Sequence, residues 1–104
     1  MATLSIQERK RLRQIGHALN PVVMVGGSGL TDSVIEEAVR ALTDHELIKI
    51  KVAGEDRDAR AEVIDALAQA TQAEVVQKIG KIALLYKKAA NKIQNYQTLF
   101  VTRI

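Results

Sequence analysis

The chain contains no cysteine and no tryptophan, one proline, and three aromatic residues, Tyr86, Tyr96 and Phe100, in 104. The missing cysteines exclude disulfides, thiolate nucleophiles and cysteine-ligated zinc or iron–sulfur centres. Three aromatics are too few for a platform of rings on which successive bases could stack. No run of eighteen apolar residues is present, and no basic segment leads into an apolar one at the N-terminus. A cytosolic protein with no membrane partner is therefore expected. Gly-Lys-Ser/Thr occurs nowhere, which removes the phosphate loop of nucleotide hydrolases. His17 and His45 lie far apart with no cysteine to join them, so no metal set can be named. No paired carboxylates or nucleophile–base pair stands out either. The expectation is a protein that is not an enzyme and carries no cofactor.

What is present is charge, unevenly placed. The formal net charge is +3, with 47% apolar and 26% charged residues, ordinary for one globular domain. Residues 1–31 hold four bases against Glu8, giving +3, and residues 32–74 hold five bases against eleven acids, giving −6. Residues 75–104 hold six bases and no acid, giving +6. A body whose two ends are basic and whose middle is acidic suits a polyanionic partner better than a membrane, since no basic stretch carries bulky aromatic anchors.

The stretch that organises the rest is Pro21-Val-Val-Met-Val25 followed by Gly26-Gly27-Ser28-Gly29. Four apolar residues between a proline and a glycine cluster read as a short buried strand. The glycines form a turn that brings backbone close to a ligand, and Thr31 or Asp32 is a suitable cap for the helix that follows. Amide groups at such a strand-to-helix junction attract phosphate oxygens. We read Gly26, Gly27, Ser28 and Gly29 as a G-x-x-G clamp for a phosphate backbone.

Upstream, Ser5 and Glu8 form a capping box for a helix reaching about Leu19. Ile6, Leu12, Ile15 and Leu19 are its expected apolar side, with Lys10, Arg13, Gln14 and His17 as a polar ridge. Downstream, residues 32–44 make a second helix whose inward stripe is Val34, Ile35, Ala38, Val39 and Leu42. Residues 46–52 alternate as a half-buried strand, with Ile48, Ile50 and Val52 inward and Lys49 and Lys51 on the other face. Residues 55–71 form a third helix that begins with Glu55, Asp56 and Asp58. Residues 74–79, with Val75, Val76 and Ile79 as core, and residues 81–88 read as strands around Gly80. Leu99-Phe100-Val101 is an apolar segment in a tail that has no assigned structure.

The order helix–strand–helix–strand–helix–strand–strand predicts a single α/β domain of α+β two-layer type, residues 1–88, with a basic tail over 89–104. Its four-stranded mixed sheet is packed with helices, with parallel crossovers and a final antiparallel pair.

Pro21-Val-Val, the loop Gly26-Gly-Ser-Gly29-Leu-Thr31, His45-Glu-Leu-Ile-Lys49-Ile-Lys51, and Ile79-Gly80-Lys81 with Leu85-Tyr86 together resemble the CRM domain, in its free-standing bacterial YhbY-like form. The resemblance covers residues 4–88 and implies a fold similar to the C-terminal domain of translation initiation factor three, with sheet order 1-2-4-3. It implies RNA binding, association with ribosomal RNA and ribosomal proteins in large-subunit precursors, and a role in ribosome assembly. It assigns RNA contacts to the glycine loop and Lys81. Many family members carry a lysine after the first loop glycine, where this chain has Gly27. The residues themselves add Lys10, Arg13, Lys49, Lys51, Lys78 and Lys87 as cationic contacts, and Tyr86 as a possible base-stacking ring. Either sheet face could meet RNA, and a monomer is expected. The alternatives are a protein-interaction module built on the acidic middle and the apolar tail, or an RNA-binding splicing or translation accessory factor without a role in ribosome assembly.

Overall fold

Glycines and caps punctuate the chain where the sequence predicts. In the computed structural model, which describes residues 4–88, Ser5 caps helix α1 (Ile6–His17) through the complete capping box with Glu8. Strand β1 (Pro21–Val25) leads through the glycine loop to α2 (Asp32–His45), capped by the Thr31 hydroxyl, which accepts from the Val34 N–H at 3.2 Å. Strand β2 (Leu47–Val52), α3 (Arg57–Thr71, capped by Asp56), β3 (Glu74–Ile79) and β4 (Ile82–Tyr86) complete the order. The leading residues Glu55 and Asp56 thus precede α3, and α1 stops two residues short of Leu19.

The sheet order is β1-β2-β4-β3. β1 runs parallel to β2, and β4 is antiparallel to both of its neighbours, so β4 is the one reversed strand. The expected topology is therefore the observed one. α2 and α3 cover one face of the sheet over Val23, Val25, Ile48, Ile50, Val52 and Leu85, with Leu42, Ile64 and Leu67 as their own contribution to this main core. These are the residues that alternation assigned inward on β2, and burying each large aliphatic chain is worth about 1.5–3 kcal/mol. On the other face lies α1 alone, over a smaller cluster of Leu47, Val76 and Leu84 with Leu4, Leu12 and Leu19. The two expected layers thus gain a partial third.

α1 covers only part of its face, which corrects its expected apolar side. Ile6 is 84% exposed and Ile15 49% exposed, and the helix instead approaches the sheet through Gly16. A Cβ at Gly16 would fall 2.7 Å from Leu84 Cδ2, so the missing side chain is what lets the helix lie this close. Arg9 fastens the other end of the helix. Its guanidinium donates to the carbonyls of Val75 (2.8 Å) and Val76 (3.3 Å) and pairs with Glu74 at 3.2 Å. Val39 on α2 and Ile79 on β3 are also exposed where burial was expected. For Ile79 the reason is an irregularity in β3 between Val75 and Gln77. The extra residue shifts the alternation by one, so Ile79 turns to the α1 side and Lys78 to the α3 side. The apolar segment at 99–101 and the tail from residue 89 lie outside the described residues.

Candidate nucleic-acid interface

Three loops meet at one end of the sheet because β1, β2 and β3 all end there. The glycine loop follows β1, Ala53 and Gly54 follow β2, and Gly80-Lys81 joins β3 to β4. The Ala53 N–H donates to the Val25 carbonyl (2.9 Å) and the Val52 N–H to the Lys81 carbonyl (2.8 Å), so the loops are stitched together. Arg60 adds a second tie, donating to the carbonyls of Gly54 (2.7 Å) and Gly80 (3.3 Å).

Within the glycine loop, the Gly29 N–H donates to the Gly26 carbonyl at 3.0 Å, and Gly29 adopts φ +76. One amide of the expected clamp is therefore used inside the turn. The N–H groups of Gly27 and Ser28 have no partner among the described residues, and both residues are exposed. Nothing lies within 4 Å of a Cβ built at Gly26 or Gly27, so the loop's outer surface is open.

The half of the α1-side face nearest these loops is uncovered, and the register fixes what it presents. Met24 pairs with Lys51, Lys51 with Ile82, and Ile82 with Ile79, giving a row that crosses all four strands. At a strand spacing of about 4.8 Å this row is about 14 Å wide. Met24 is 61% exposed and Ile79 59% exposed. The next row, one side-chain repeat further in, holds Lys49, Leu84 and Gln77. Where α1 ends over this row, His17 and Gly16 face Lys49, Gln77, Ile79, Ile82 and Leu84 across a groove of about 200 Å³. By helical phase Arg13 and Lys10 lie on the same flank of α1 as His17, and Lys10 is exposed.

The structure thus brings Gly26, Gly27, Ser28, Gly29 and Lys81 to the loop end of the sheet and Lys49 and Lys51 to its α1-side face, with Lys10 and Arg13 on the flank of α1 that His17 shares. Among the described residues none of these five cations makes an ion pair. The remaining sequence candidates lie elsewhere. Lys78 is turned to the helix layer, where its ammonium contacts Asp65 at 3.1 Å. Tyr86 and Lys87 belong to the opposite end of the sheet, where Tyr86 pairs with Leu47 and Glu74 and the Lys87 N–H donates to the Glu46 carbonyl. Tyr86 packs against the small core, and burial, then the nearby carboxylates of Glu46 and Glu8, push its phenol above the ordinary value. A ring flanked by carboxylates is a poor partner for a phosphorylated strand. The sequence does not assign Gln77, Met24, Ile79 and Ile82 to the site; the alternation of β4 is the signal that places Ile82 beside Lys51.

Exposed acids of α2 and α3 lie on the other side. Asp32, Glu36 and Glu37 on α2, and Glu62 and Asp65 on α3, are exposed on the helix layer. Asp32 and Asp56 stand at the loop end but belong to the N-termini of these two helices, so an anion at the loops is favoured toward the α1 side. No group of three metal-ligating side chains occurs among the described residues, and none of their helices is long and apolar enough to cross a membrane.

Comparison with known proteins matches residues 4–87 to the CRS1 / YhbY (CRM) domain. A Haemophilus influenzae protein named "RNA-binding protein" is 48% identical over 95 residues, covering 90% of this chain and 96% of the relative. "Probable RNA-binding protein PA4753" of Pseudomonas aeruginosa is 42% identical over 96 residues, 92% of each chain. Among solved structures, that of a Staphylococcus aureus protein superposes with a TM-score of 0.74 at 29% identity, covering 83% of this chain and 90% of that one.

Proposed function

The chain belongs to the CRS1 / YhbY (CRM) domain family, and from that premise we propose that it binds RNA through its phosphate backbone and assists assembly of the large ribosomal subunit. The observation that carries this reading is the segregation of charge. Lys49 and Lys51 on the open α1-side face, Lys81 at the loop end, and Lys10 and Arg13 on α1 make no ion pair among the described residues, while the exposed acids of α2 and α3 occupy the opposite layer.

In this reading the glycine loop holds a phosphate by the Gly27 and Ser28 amides, and the lysines neutralise neighbouring phosphates. Phosphate contacts fix register without reading sequence, which suits a protein with few aromatics. The family's usual loop lysine is replaced by Gly27, so charge beside the loop comes from Lys51 and Lys81 on the adjoining strand and turn. The protein acts as a cytoplasmic, monomeric binding factor rather than an enzyme, with ribosomal RNA of large-subunit precursors as partner and ribosomal proteins as neighbours.

Sedimentation of lysate from cells producing the tagged protein tests the cellular half of the proposal. It is expected with large-subunit precursors and scarce on translating ribosomes. Equal amounts on both would indicate a constitutive ribosomal component, and absence from every ribosomal fraction would favour a protein-interaction role.

A further inference from the structure

The groove at the end of α1 is built for something other than phosphate. Its aliphatic lining is Ile79, Ile82, Leu84 and the stem of Lys49, and its polar side chains are Gln77 and His17. The helix end that borders it is a C-terminus, which carries partial negative charge and disfavours an anion. An apolar slot beside a negative helix end favours a neutral group over an anion. Lys49 borders the slot, and Lys51 follows it two residues on along the same strand face, their backbone positions about 6.8 Å apart.

Resting on the RNA-binding reading above, we propose that the groove between α1 and the open half-sheet seats an unpaired nucleobase, so that the protein selects single-stranded over duplex RNA. The base lies against Ile79 and Ile82. The Gln77 side chain, which has no hydrogen-bond partner among the described residues, offers its amide N–H and carbonyl to the base edge. Lys49 and Lys51 hold the phosphates on either side. A paired base reaches such a slot only after unstacking and unpairing, which costs a few kcal/mol per base and is avoided in a single strand. The occupant is inferred from complementarity at both scales, cationic rim to phosphate and aliphatic slot to base.

The test compares three probes at one ionic strength by fluorescence anisotropy. They are a short oligoribonucleotide without self-complementarity, the same strand annealed to its complement, and a strand of equal length with abasic riboses. The wild-type protein is expected to bind the first about tenfold tighter than the other two. The double variant Gln77→Met with Ile79→Ser should lose most of that margin and keep its affinity for the duplex and abasic probes within about twofold. Gln77→Met alone, which removes only the amide from a half-buried position, serves if the double variant melts early. Equal wild-type affinity for base-bearing and abasic strands, or a margin that survives in both variants, overturns the groove assignment and leaves RNA binding standing. Failure of all three probes to bind at low salt overturns the RNA-binding reading itself.

Discussion

Replacing Gly27 and Ser28 together by aspartate separates binding from folding at the glycine loop. Gly27 does not adopt positive φ, and nothing lies within 4 Å of a Cβ there. Ser28 is exposed and makes no hydrogen bond among the described residues. Substitutions at such positions shift stability by about 0.5 kcal/mol or less. Binding should respond far more. A carboxylate 4 Å from a phosphate costs about 4 kcal/mol at an effective dielectric near 20. Mobile ions and side-chain rotation reduce this, and a quarter of it per carboxylate leaves about 2 kcal/mol for the pair. That is about a thirtyfold rise in Kd. Gly27→Ala with Ser28→Ala adds one methyl and removes one hydroxyl without adding charge, and should cost about threefold or less. The assay is an RNA titration of wild type and both variants at one salt concentration, beside thermal melts. A double-aspartate protein that melts like wild type and binds RNA as tightly would refute the clamp.

Other expectations follow from the packing and the electrostatics. Arg9→Ala should lower stability by about 1–2 kcal/mol in chemical denaturation, because two β3 carbonyls lose a charged donor, whereas Lys10→Ala should stay within about 0.5 kcal/mol and weaken RNA binding instead. Gly16→Ala should lower the melting temperature despite a helix-propensity gain of about 1 kcal/mol, since overpacking against Leu84 costs about 1–3 kcal/mol; a higher Tm would contradict the close approach. Tyr86 has its phenol held neutral above the ordinary 10.0, so the folded state releases that proton later than the unfolded chain does. Its contribution is complete below that ordinary value and is lost as pH rises through it and beyond; Tyr86→Phe should flatten the fall in stability over that range. For RNA, log Kd should rise with log salt with a slope of about 3.5 for five neutralised phosphates on a single strand, and Lys49→Gln should lower that slope by about 0.7.

The fold was legible because its strongest signals are local. The capping box at Ser5, the glycine loop after four apolar residues and the alternation over residues 47–52 each reappear where expected. The errors arise where one residue changes the phase of everything after it. Glu74-Val-Val-Gln-Lys-Ile contains no glycine or proline to mark its bulge, and an unbroken alternation places Ile79 in the core and Lys78 on the other side. Helix ends were similarly hidden. Glu46 (φ +67) and Gln72 (φ +60) take the positive-φ positions that end α2 and α3, where a glycine would have announced them. On α1, the expected stripe of Ile6, Leu12, Ile15 and Leu19 holds for Leu12 and Leu19 only, and the closest approach is made by a residue with no side chain, Gly16. Of the candidate site, the loop and the lysines of β2 follow from sequence alone. That Arg9 is structural, that Tyr86 and Lys87 belong to the far end, and that Gln77 borders a groove require the sheet order and register.

Lysine footprinting in the presence and absence of RNA tests the central claim most directly, since it reads which end and face the RNA covers. With saturating single-stranded RNA, acylation of Lys49, Lys51 and Lys81 should fall several-fold, and that of Lys78 and Lys87 should change little. Protection of Lys78 and Lys87 with Lys49 and Lys51 still reactive would place the RNA on the opposite side and contradict the account.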